Sequence, residues 1–318
     1  MKVPHNLISF LKKEDNFLIT THINPEPDAI GSSLALSKAL ESIGKKTVLY
    51  HKDGVPEIYT FLPGQETFIK KNKEIDNNNL SLILLDCNTL DRAGIENTVF
   101  KYSVVIDHHE TDKNFGDIKW IEPYAAATGI MIFYLLKEMG IALTKDIATN
   151  LYAAIAIDTG TFRYSNTNAE VLRVAAELVE AGASPFIIAN NLYETWSKQR
   201  FDLLIMSLNT LEIIDKIAFI SVTKEMFQKT GTCPDDTENF TNFPRMLKDI
   251  HIAVLFRQEG DDLWKISLRS KGDINVAKIA LHFHGGGHKN AAGYKIRGNL
   301  KSIKESLLQQ IYSLKNKE

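Results

Sequence analysis

The chain has 318 residues, a formal net charge of -2 and 24% charged residues. These values are typical of a globular protein long enough for two domains, and they argue against a broad basic surface for long duplex nucleic acid. No apolar run approaches the length of a membrane span, and the first residues lack the apolar core of a signal peptide. Because Cys87 and Cys233 are too few and too far apart for a disulfide framework, we expect a reducing, cytoplasmic setting.

The first strand, turn and helix carry the most informative stretch of the chain. Residues 16–20 are apolar enough for a short buried strand, and the apolar positions after residue 33 recur at helical spacing. His22, Glu26 and Asp28 therefore lie in a turn between a strand and a helix, where ligands bind in open α/β sheets. These side chains favour metal ligation, and a helix-capping Asp28 beside a solvated His22 is the alternative.

Three further strand patterns follow in the first half of the chain, at residues 46–51, 80–85 and 102–106. The second is nearly all apolar, as a strand covered on both faces should be, and it ends on Asp86. The third ends on Asp107, which is followed by His108 and His109. Three apolar strands thus finish in acid or imidazole, which predicts a shared site at one edge of the sheet.

Helical patterns dominate the middle of the chain, at residues 126–139, 147–157, 168–180, 185–193 and 198–212. The second of these helices ends at Asp158-Thr159-Gly160, where metal ligation by Asp158 competes with a simple capping role. The C-terminal part then alternates strands and helices, with strands predicted at 217–222, 251–256, 263–270 and 294–297 and helices at 276–283 and from 300.

We therefore predict an α/β protein of two lobes. Residues 1–195 would form one domain around a mainly parallel sheet flanked by helices. Residues 196–212 would be a linker helix, and residues 213–318 a smaller α/β domain.

The strand ends and turns together supply a set of imidazoles and carboxylates: His22, Glu26, Asp28, Asp86, Asp107, His108, His109 and Asp158. If the fold clusters them, the carboxylates would repel one another unless cations neutralised them. Mixed imidazole and carboxylate ligands suit Mn²⁺, with Co²⁺, Zn²⁺ and Mg²⁺ as alternatives. The set is large enough for two cations per active site, the arrangement that clamps a phosphoester during hydrolysis.

These motifs resemble the DHH phosphoesterase superfamily, which is named for the triplet found here at residues 107–109. The other matching motifs are His22-x-x-x-Glu26-x-Asp28, the Asp86 strand end and Asp158-Thr159-Gly160. Gly285-Gly286-Gly287-His288 with Ala291-Ala292-Gly293 resembles the DHH-associated substrate-binding domain. The resemblance covers essentially the whole chain, and it is greatest to the nanoRNase/pAp phosphatase (NrnA-like) branch.

The resemblance implies a role for each member of the set. One cation would be held by His22, Glu26 and Asp86, and the second by Asp28, Asp86, His108 and Asp158. His109 would contact the substrate phosphate or the leaving oxygen as a candidate general acid, and Asp107 would orient His108.

Glu26 is a departure from the family pattern, which usually has Asp at this position. The extra methylene moves the carboxylate, and a misplacement on the order of 1 Å can cost about 100-fold in rate. The prolines on both sides of Glu26 offer a way for the loop to compensate, and we expect an active site that is retained.

The resemblance also implies substrate-binding residues. The backbone of Gly285, Gly286 and Gly287 would approach an anion closely, for which an ordinary flexible turn is the alternative reading. The charged and polar groups around it would be Arg269, Ser270 and His288 from the second lobe and Arg163 from the first.

The predicted reaction is the hydrolysis of short oligoribonucleotides to mononucleotides, together with removal of the 3′-phosphate from pAp. A cleft between two lobes would favour short RNA as the substrate. Similar proteins suggest a homodimer, and we expect no membrane partner. A phosphodiesterase for cyclic di-AMP or pApA is one alternative. A catalytically weakened nucleotide-binding protein, detuned by Glu26, is the other.

Overall fold

A computed structural model describes residues 1–70, 79–95, 98–109 and 115–315, except for the side chains of His288, Leu314 and Lys315. The chain divides into two compact units, one from Met1 to Thr195 and one from Trp196 onward. None of the helices in the described part combines the length and apolar character that crossing a bilayer requires.

The first unit is built on a five-stranded sheet in the order β2-β1-β3-β4-β5, in which every pair of neighbours is parallel. Its strands are β1 (Asn16–Thr20), β2 (Lys46–Tyr50), β3 (Ser81–Leu85), β4 (Tyr102–Asp107) and β5 (Ile118–Ile121). Every residue of β3 is buried, as expected for a strand in the middle of a parallel sheet that is covered on both faces. Because β1, β3 and β4 are parallel neighbours, their carboxyl ends meet at one edge.

The helices of the first unit are α1 (His5–Lys13), α2 (Pro27–Ser42), α3 (Thr128–Met139), α4 (Lys145–Asp158), α5 (Ala169–Glu180) and α6 (Pro185–Tyr193). Side-chain caps define several of the starts: Thr144, Asn168 and Ser184 each accept a hydrogen bond from a backbone amide in the first turn of α4, α5 or α6. One large core buries the apolar faces of these helices against the sheet. Within it α2 and α4 approach closely, since a Cβ on Gly31 would lie 2.4 Å from the carbonyl oxygen of Asn150.

The second unit contains a six-stranded mixed sheet in the order β10-β11-β9-β8-β7-β6, with only β7 and β8 parallel. Its strands are β6 (Glu212–Ile214), β7 (Ile217–Val222), β8 (Ile252–Gln258), β9 (Leu263–Ser270), β10 (Gly286–His288) and β11 (Ala291–Arg297). Its helices are α7 (Lys198–Leu208), α8 (Lys224–Thr230), α9 (Asn242–Arg245), α10 (Val276–His282) and α11 (Leu300–Lys315). Separate cores cover the two sheet faces, one with α10 and α11 and one with α7.

The predicted α/β class, with a parallel N-terminal sheet and a second C-terminal sheet, is confirmed. The helix predicted over 198–212 ends at Leu208, because Glu212 begins the edge strand β6. Six elements were absent from the prediction: α1, β5, β6, α8, α9 and β10.

Candidate active site

The site lies where β1, β3 and β4 end. His22 follows β1, Asp86 follows β3, and β4 ends on Asp107, after which come His108 and His109. The Nε2 atom of His22 lies 3.3 Å from Oδ2 of Asp86, and Nε2 of His108 lies 3.4 Å from Oδ1 of Asp86. The sheet therefore brings the predicted strand-end residues together around Asp86.

Two helices complete this cluster with carboxylates. Asp28 belongs to the first turn of α2, and Asp158 is the last residue of α4. Nε2 of His108 lies 3.2 Å from Oδ2 of Asp158 and 3.8 Å from Oδ2 of Asp28.

The described residues form two groups whose ligand atoms lie within 4.8 Å of one another: Asp86, His108 and His109, and Asp28, His108 and Asp158. His108 belongs to both groups. The donor set of imidazole nitrogens and carboxylate oxygens fits Mn²⁺ and similar divalent cations.

The charges of this cluster depend strongly on one another. Burial raises the pKa of Asp28 well above its usual value, and the neighbouring charges of Asp158 and Asp86 raise it further. Burial alone would lower the pKa of His108, but hydrogen bonds with Asp158 and Asp86 outweigh this effect and raise it. A protonated imidazole thus balances the carboxylates, and a divalent cation can supply the same balance.

The surroundings of Asp86 stabilise its ionised form. Burial alone would raise its pKa, but hydrogen bonds with His108 and His22 outweigh burial and hold the pKa well below its usual value. Its backbone has φ +55°, a left-handed conformation that non-glycine residues rarely adopt outside constrained sites. Asp86 is therefore held as an ionised acceptor at the centre of the group.

A backbone carbonyl orients His108, and a carboxylate orients His109. The Nδ1 atom of His108 lies 3.0 Å from the carbonyl oxygen of Ala125, and Oδ1 of Asp107 lies 2.6 Å from Nδ1 of His109. The expectation that Asp107 orients His108 is therefore wrong. Side chains alternate in direction along a strand, so the residue two positions away, and not the next one, lies on the same side as Asp107.

Three supporting residues were missed by the sequence reasoning: His51, Ala125 and Thr128. His51 is buried, and its Nε2 lies 3.0 Å from the carbonyl oxygen of His22. The amide of Asp53 donates to Nδ1 of His51, so Nδ1 is an acceptor and the ring proton is on Nε2. Nε2 therefore donates to the carbonyl oxygen of His22. These contacts join backbone and side chains from segments that are distant in sequence, so no local sequence pattern predicts them.

Thr128 and Gly129 hold Asp28 through the start of α3. Their amides donate to the Asp28 carboxylate, from Thr128 to Oδ2 at 2.7 Å and from Gly129 to Oδ1 at 2.8 Å. The N-cap residue Ala127 supplies no side-chain cap, so Asp28 caps α3 from a neighbouring helix. The only sequence signal is a Thr-Gly pair that opens an apolar helix.

Glu26 occupies the N-cap position of α2, with extended backbone and an exposed side chain. It belongs to neither of the two ligand groups in the described part of the chain. Its assignment as a metal ligand stays a prediction.

The predicted substrate-binding residues fall in both units. Arg163 is exposed on the turn that follows α4 in the first unit. In the second unit Arg269 is half-buried on β9, whereas Ser270 is buried and its hydroxyl donates to the carbonyl of Ile274. The Ser270 hydroxyl therefore braces the turn after β9, and its expected contact with substrate stays a prediction.

Two of the three glycines are part of a strand, and Gly285 immediately precedes it. Gly286 and Gly287 belong to β10, which pairs with β11. A Cβ on Gly285 would lie 2.2 Å from the carbonyl oxygen of Gly293, and one on Gly287 would lie 2.4 Å from that of Ala291, whereas Gly286 faces open space. The predicted role of the His288 side chain lies outside the described residues.

Family comparison agrees with this architecture, in which a parallel α/β unit carries clustered aspartates and histidines at its carboxyl edge and a mixed-sheet unit follows. The DHH family, N-terminal domain, matches residues 16–155, and the DHHA1 domain matches residues 217–313. The chain belongs to the DHH family, as the resemblance of its motifs predicted.

Individual relatives are similar over nearly the whole chain. The bifunctional oligoribonuclease and PAP phosphatase NrnA of Thermus thermophilus is 32% identical, over 94% of this chain and 90% of that protein. The protein of the same name from Bacillus subtilis is 28% identical, over 91% of this chain and 92% of that protein.

Solved structures also match. An exopolyphosphatase-related protein from Bacteroides fragilis superposes with a TM-score of 0.90 at 28% identity, covering 98% of this chain and 96% of that one. RecJ from Thermus thermophilus in complex with Mn²⁺ matches with a TM-score of 0.54 at 13% identity, covering 98% of this chain and 54% of RecJ. The RecJ likeness concerns the fold alone.

Proposed function

We propose that this protein is a metal-dependent phosphoesterase that hydrolyses short oligoribonucleotides to mononucleotides and removes the 3′-phosphate from pAp. The observation that carries this proposal is the cluster of Asp28, Asp86, His108 and Asp158 at the carboxyl edge of the parallel sheet. The names of the Thermus thermophilus and Bacillus subtilis relatives support the choice of substrates. We place the activity in the cytoplasm.

We infer two cations per active site, with Mn²⁺ as the preferred ion and Co²⁺ or Mg²⁺ as substitutes. His22, Glu26 and Asp86 would hold one cation, and Asp28, Asp86, His108 and Asp158 would hold the other. The close grouping of Asp28, His108 and Asp158 supports the second site, and the distance of 3.3 Å between His22 and Asp86 supports the first. The cations would supply charge neutralisation for the phosphate and activation of water.

The chain's own residues would orient groups and move a proton. Asp107 fixes the ring of His109 through the contact of 2.6 Å to Nδ1, and it would stabilise the protonated imidazole. A leaving oxygen would then take its proton from Nε2, the other ring nitrogen, which makes His109 the general acid. Asp107 acts here on His109 and has no direct role toward the substrate.

Substrate recognition is assigned to both units. Arg163 would contact substrate from the first unit, and Arg269, the Gly285–Gly287 backbone and His288 would contact it from the second. We therefore assign residues 1–195 to catalysis, 196–212 to the linker and 213–318 to substrate binding. Light scattering would test the proposed homodimer.

The decisive experiment is hydrolysis of a 5′-labelled RNA dinucleotide and of pAp by the full chain with added Mn²⁺, compared with Asp86→Asn. The wild type should turn over both substrates, and the variant should lose at least about 100-fold in kcat/KM because the central carboxylate is gone. A wild type that is silent on both substrates with Mn²⁺, Co²⁺ and Mg²⁺ would refute the proposal. The relatives' names favour this reaction over hydrolysis of cyclic di-AMP.

A further inference from the structure

The turn after α4 has an unusual backbone. Gly160, Thr161 and Phe162 are consecutive and have φ values of +57°, +58° and +62°, all in the left-handed region. Glycine adopts this conformation freely, but a β-branched threonine and a bulky phenylalanine do so only under constraint. Gly160 is further required because a Cβ there would lie 2.3 Å from the ring of Tyr164. Backbone strain of this kind concentrates at functional sites.

Several contacts impose this conformation on the turn. The amide of Thr161 donates to the carbonyl of Ala156 at 2.6 Å, and the amide of Arg163 donates to the carbonyl of Thr159 at 2.9 Å. The amide of Phe162 donates to the hydroxyl oxygen of Thr159 at 3.1 Å. The turn is therefore rigidly held immediately after Asp158, a member of the ligand cluster.

The turn presents hydrogen-bond donors to an open depression of about 250 Å³ that Thr161, Arg163 and Tyr193 line. The guanidinium of Arg163 is anchored, since its Nε donates to the carbonyl of Gly160 at 2.7 Å. Within the described ranges, no residue makes a hydrogen bond or ion pair with the terminal nitrogens of Arg163. The side chain of Arg163 is exposed. An exposed guanidinium that is anchored through Nε keeps two NH₂ groups whose planar arrangement matches phosphate oxygens.

Two hydroxyls add to this surface. Oγ1 of Thr161 lies 2.5 Å from the hydroxyl oxygen of Tyr193, so one hydroxyl donates to the other. The accepting hydroxyl keeps its own hydrogen for a ligand. Among the residues that the structure describes, those lining the depression carry no carboxylate, so they offer donors and positive charge to an anion.

We propose that Thr161, Arg163 and Tyr193 form the subsite for the phosphate that is not hydrolysed, such as the 5′-phosphate of pAp or of a short oligonucleotide. The proposal rests on the proposed function and adds to it how one end of the substrate is recognised. Because Arg163 bonds to Thr159, its backbone lies on the order of 10 Å from that of Asp158. The turn that carries Thr161 and Arg163 therefore lies within the span of a nucleotide from the backbone of Asp158.

The test compares two substrates that differ in one phosphate, pAp and adenosine 3′-phosphate, at saturating Mn²⁺. Wild type should prefer pAp, and Arg163→Gln should reduce the ratio of the two kcat/KM values by about 10- to 100-fold, mainly through KM for pAp. Tyr193→Phe keeps the ring and removes the hydroxyl, and it should reduce the same ratio by about 3- to 10-fold. Arg173→Gln, which removes an exposed arginine of α5, is the matched control.

The outcomes separate this proposal from the proposed function. A wild type that hydrolyses neither substrate refutes the function itself. If the wild type is active but Arg163→Gln and Tyr193→Phe leave the ratio unchanged, or slow both substrates equally, the subsite assignment is wrong. Circular dichroism and thermal melting of each variant would show whether a loss arises from unfolding, and Tyr193→Phe keeps the test valid if Arg163→Gln does not fold.

Discussion

Thr128 donates its hydroxyl hydrogen to Oδ1 of Asp86 at 3.2 Å, and its backbone amide donates to Oδ2 of Asp28 at 2.7 Å. One residue at the start of α3 thus fixes two carboxylates that come from different elements, α2 and the end of β3. Contacts of this type orient metal ligands without touching the metal, and their loss typically costs about 10- to 100-fold in affinity or activity.

Thr128→Val should therefore weaken Mn²⁺ binding about 10- to 100-fold, whereas Thr128→Ser, which keeps the hydroxyl, should stay within about threefold of the wild type. Isothermal titration of metal-free protein measures both. Ser33→Ala is the matched control, because it removes a buried hydroxyl that bonds only to the carbonyl of Ala29 within α2. If Thr128→Val melts at a lower temperature but binds Mn²⁺ normally, Thr128 serves packing alone.

Glu26 should support catalysis despite its extra methylene. Its side chain is exposed and prolines stand on both sides of it, and we expect the loop to adjust so that the longer carboxylate reaches the cluster. We expect Glu26→Asp to keep kcat/KM for pAp within about tenfold of the wild type, and Glu26→Gln to lose about 10- to 100-fold, since only the latter removes a ligand charge. Activity of Glu26→Gln equal to the wild type would remove Glu26 from the ligand set. If the wild type does not hydrolyse pAp but Glu26→Asp does, the glutamate has impaired the active site.

The two cysteines should differ sharply in reactivity. Cys87 is fully buried, and burial raises the pKa of its thiol to about 11, whereas Cys233 is exposed. Since the thiolate is the reactive form, iodoacetamide at pH 8 should label Cys233 and spare Cys87 in the folded protein. Mass spectrometry after brief labelling tests this, with urea-unfolded protein as the control in which both react. Labelling of native Cys87 at the rate of Cys233 would contradict the burial.

Glu259 should make the stability of the second unit depend on pH. Burial alone would raise its pKa, but hydrogen bonds from Lys295 and Arg257 outweigh burial and lower it. A carboxyl with a lowered pKa in the folded state stabilises above its unfolded pKa, and this contribution is lost as pH falls through the folded value. Glu259→Gln should therefore cost about 1 to 2 kcal/mol at pH 7, and the difference should shrink below about pH 4.

Urea denaturation of wild type and Glu259→Gln at pH 7 and at pH 3.5 measures this difference. Glu225→Gln provides the comparison, because Glu225 pairs with Lys229 on the surface of α8, where an ion pair contributes little. A difference that persists unchanged at pH 3.5 would show that the Glu259 charge is not its cause.

The parallel core of the first unit could be predicted because its central strands are continuous apolar runs with an acid or imidazole at the end. The missed elements lack such patterns. Strand β5 has only four residues, with half of them polar or amphipathic, and it is defined by its pairing with β4. Strand β10 begins with two glycines, and only its pairing with β11 makes it a strand.

The ligand cluster could be predicted because motif residues follow strand ends, and parallel strands bring those ends together. The supporting contacts could not be, since they depend on distances between elements far apart in sequence, as between Thr128 and Asp86. Asp107 was paired with the wrong histidine because the triplet alone does not show which ring turns toward it. The left-handed turn at Thr161 and Phe162 was also missed, because neither residue type favours that conformation.

The cluster collects side chains that are spread from His22 to Asp158, on the ends of β1, β3 and β4 and on two helices. A nascent chain therefore carries the first of these groups long before the last has been synthesised. Until α4 has packed against α2, Asp158 cannot reach His108, and only part of the donor set is in place. Tight cation binding would thus be a late event in the life of the chain, and it would report that the sheet, α2 and α4 have been assembled.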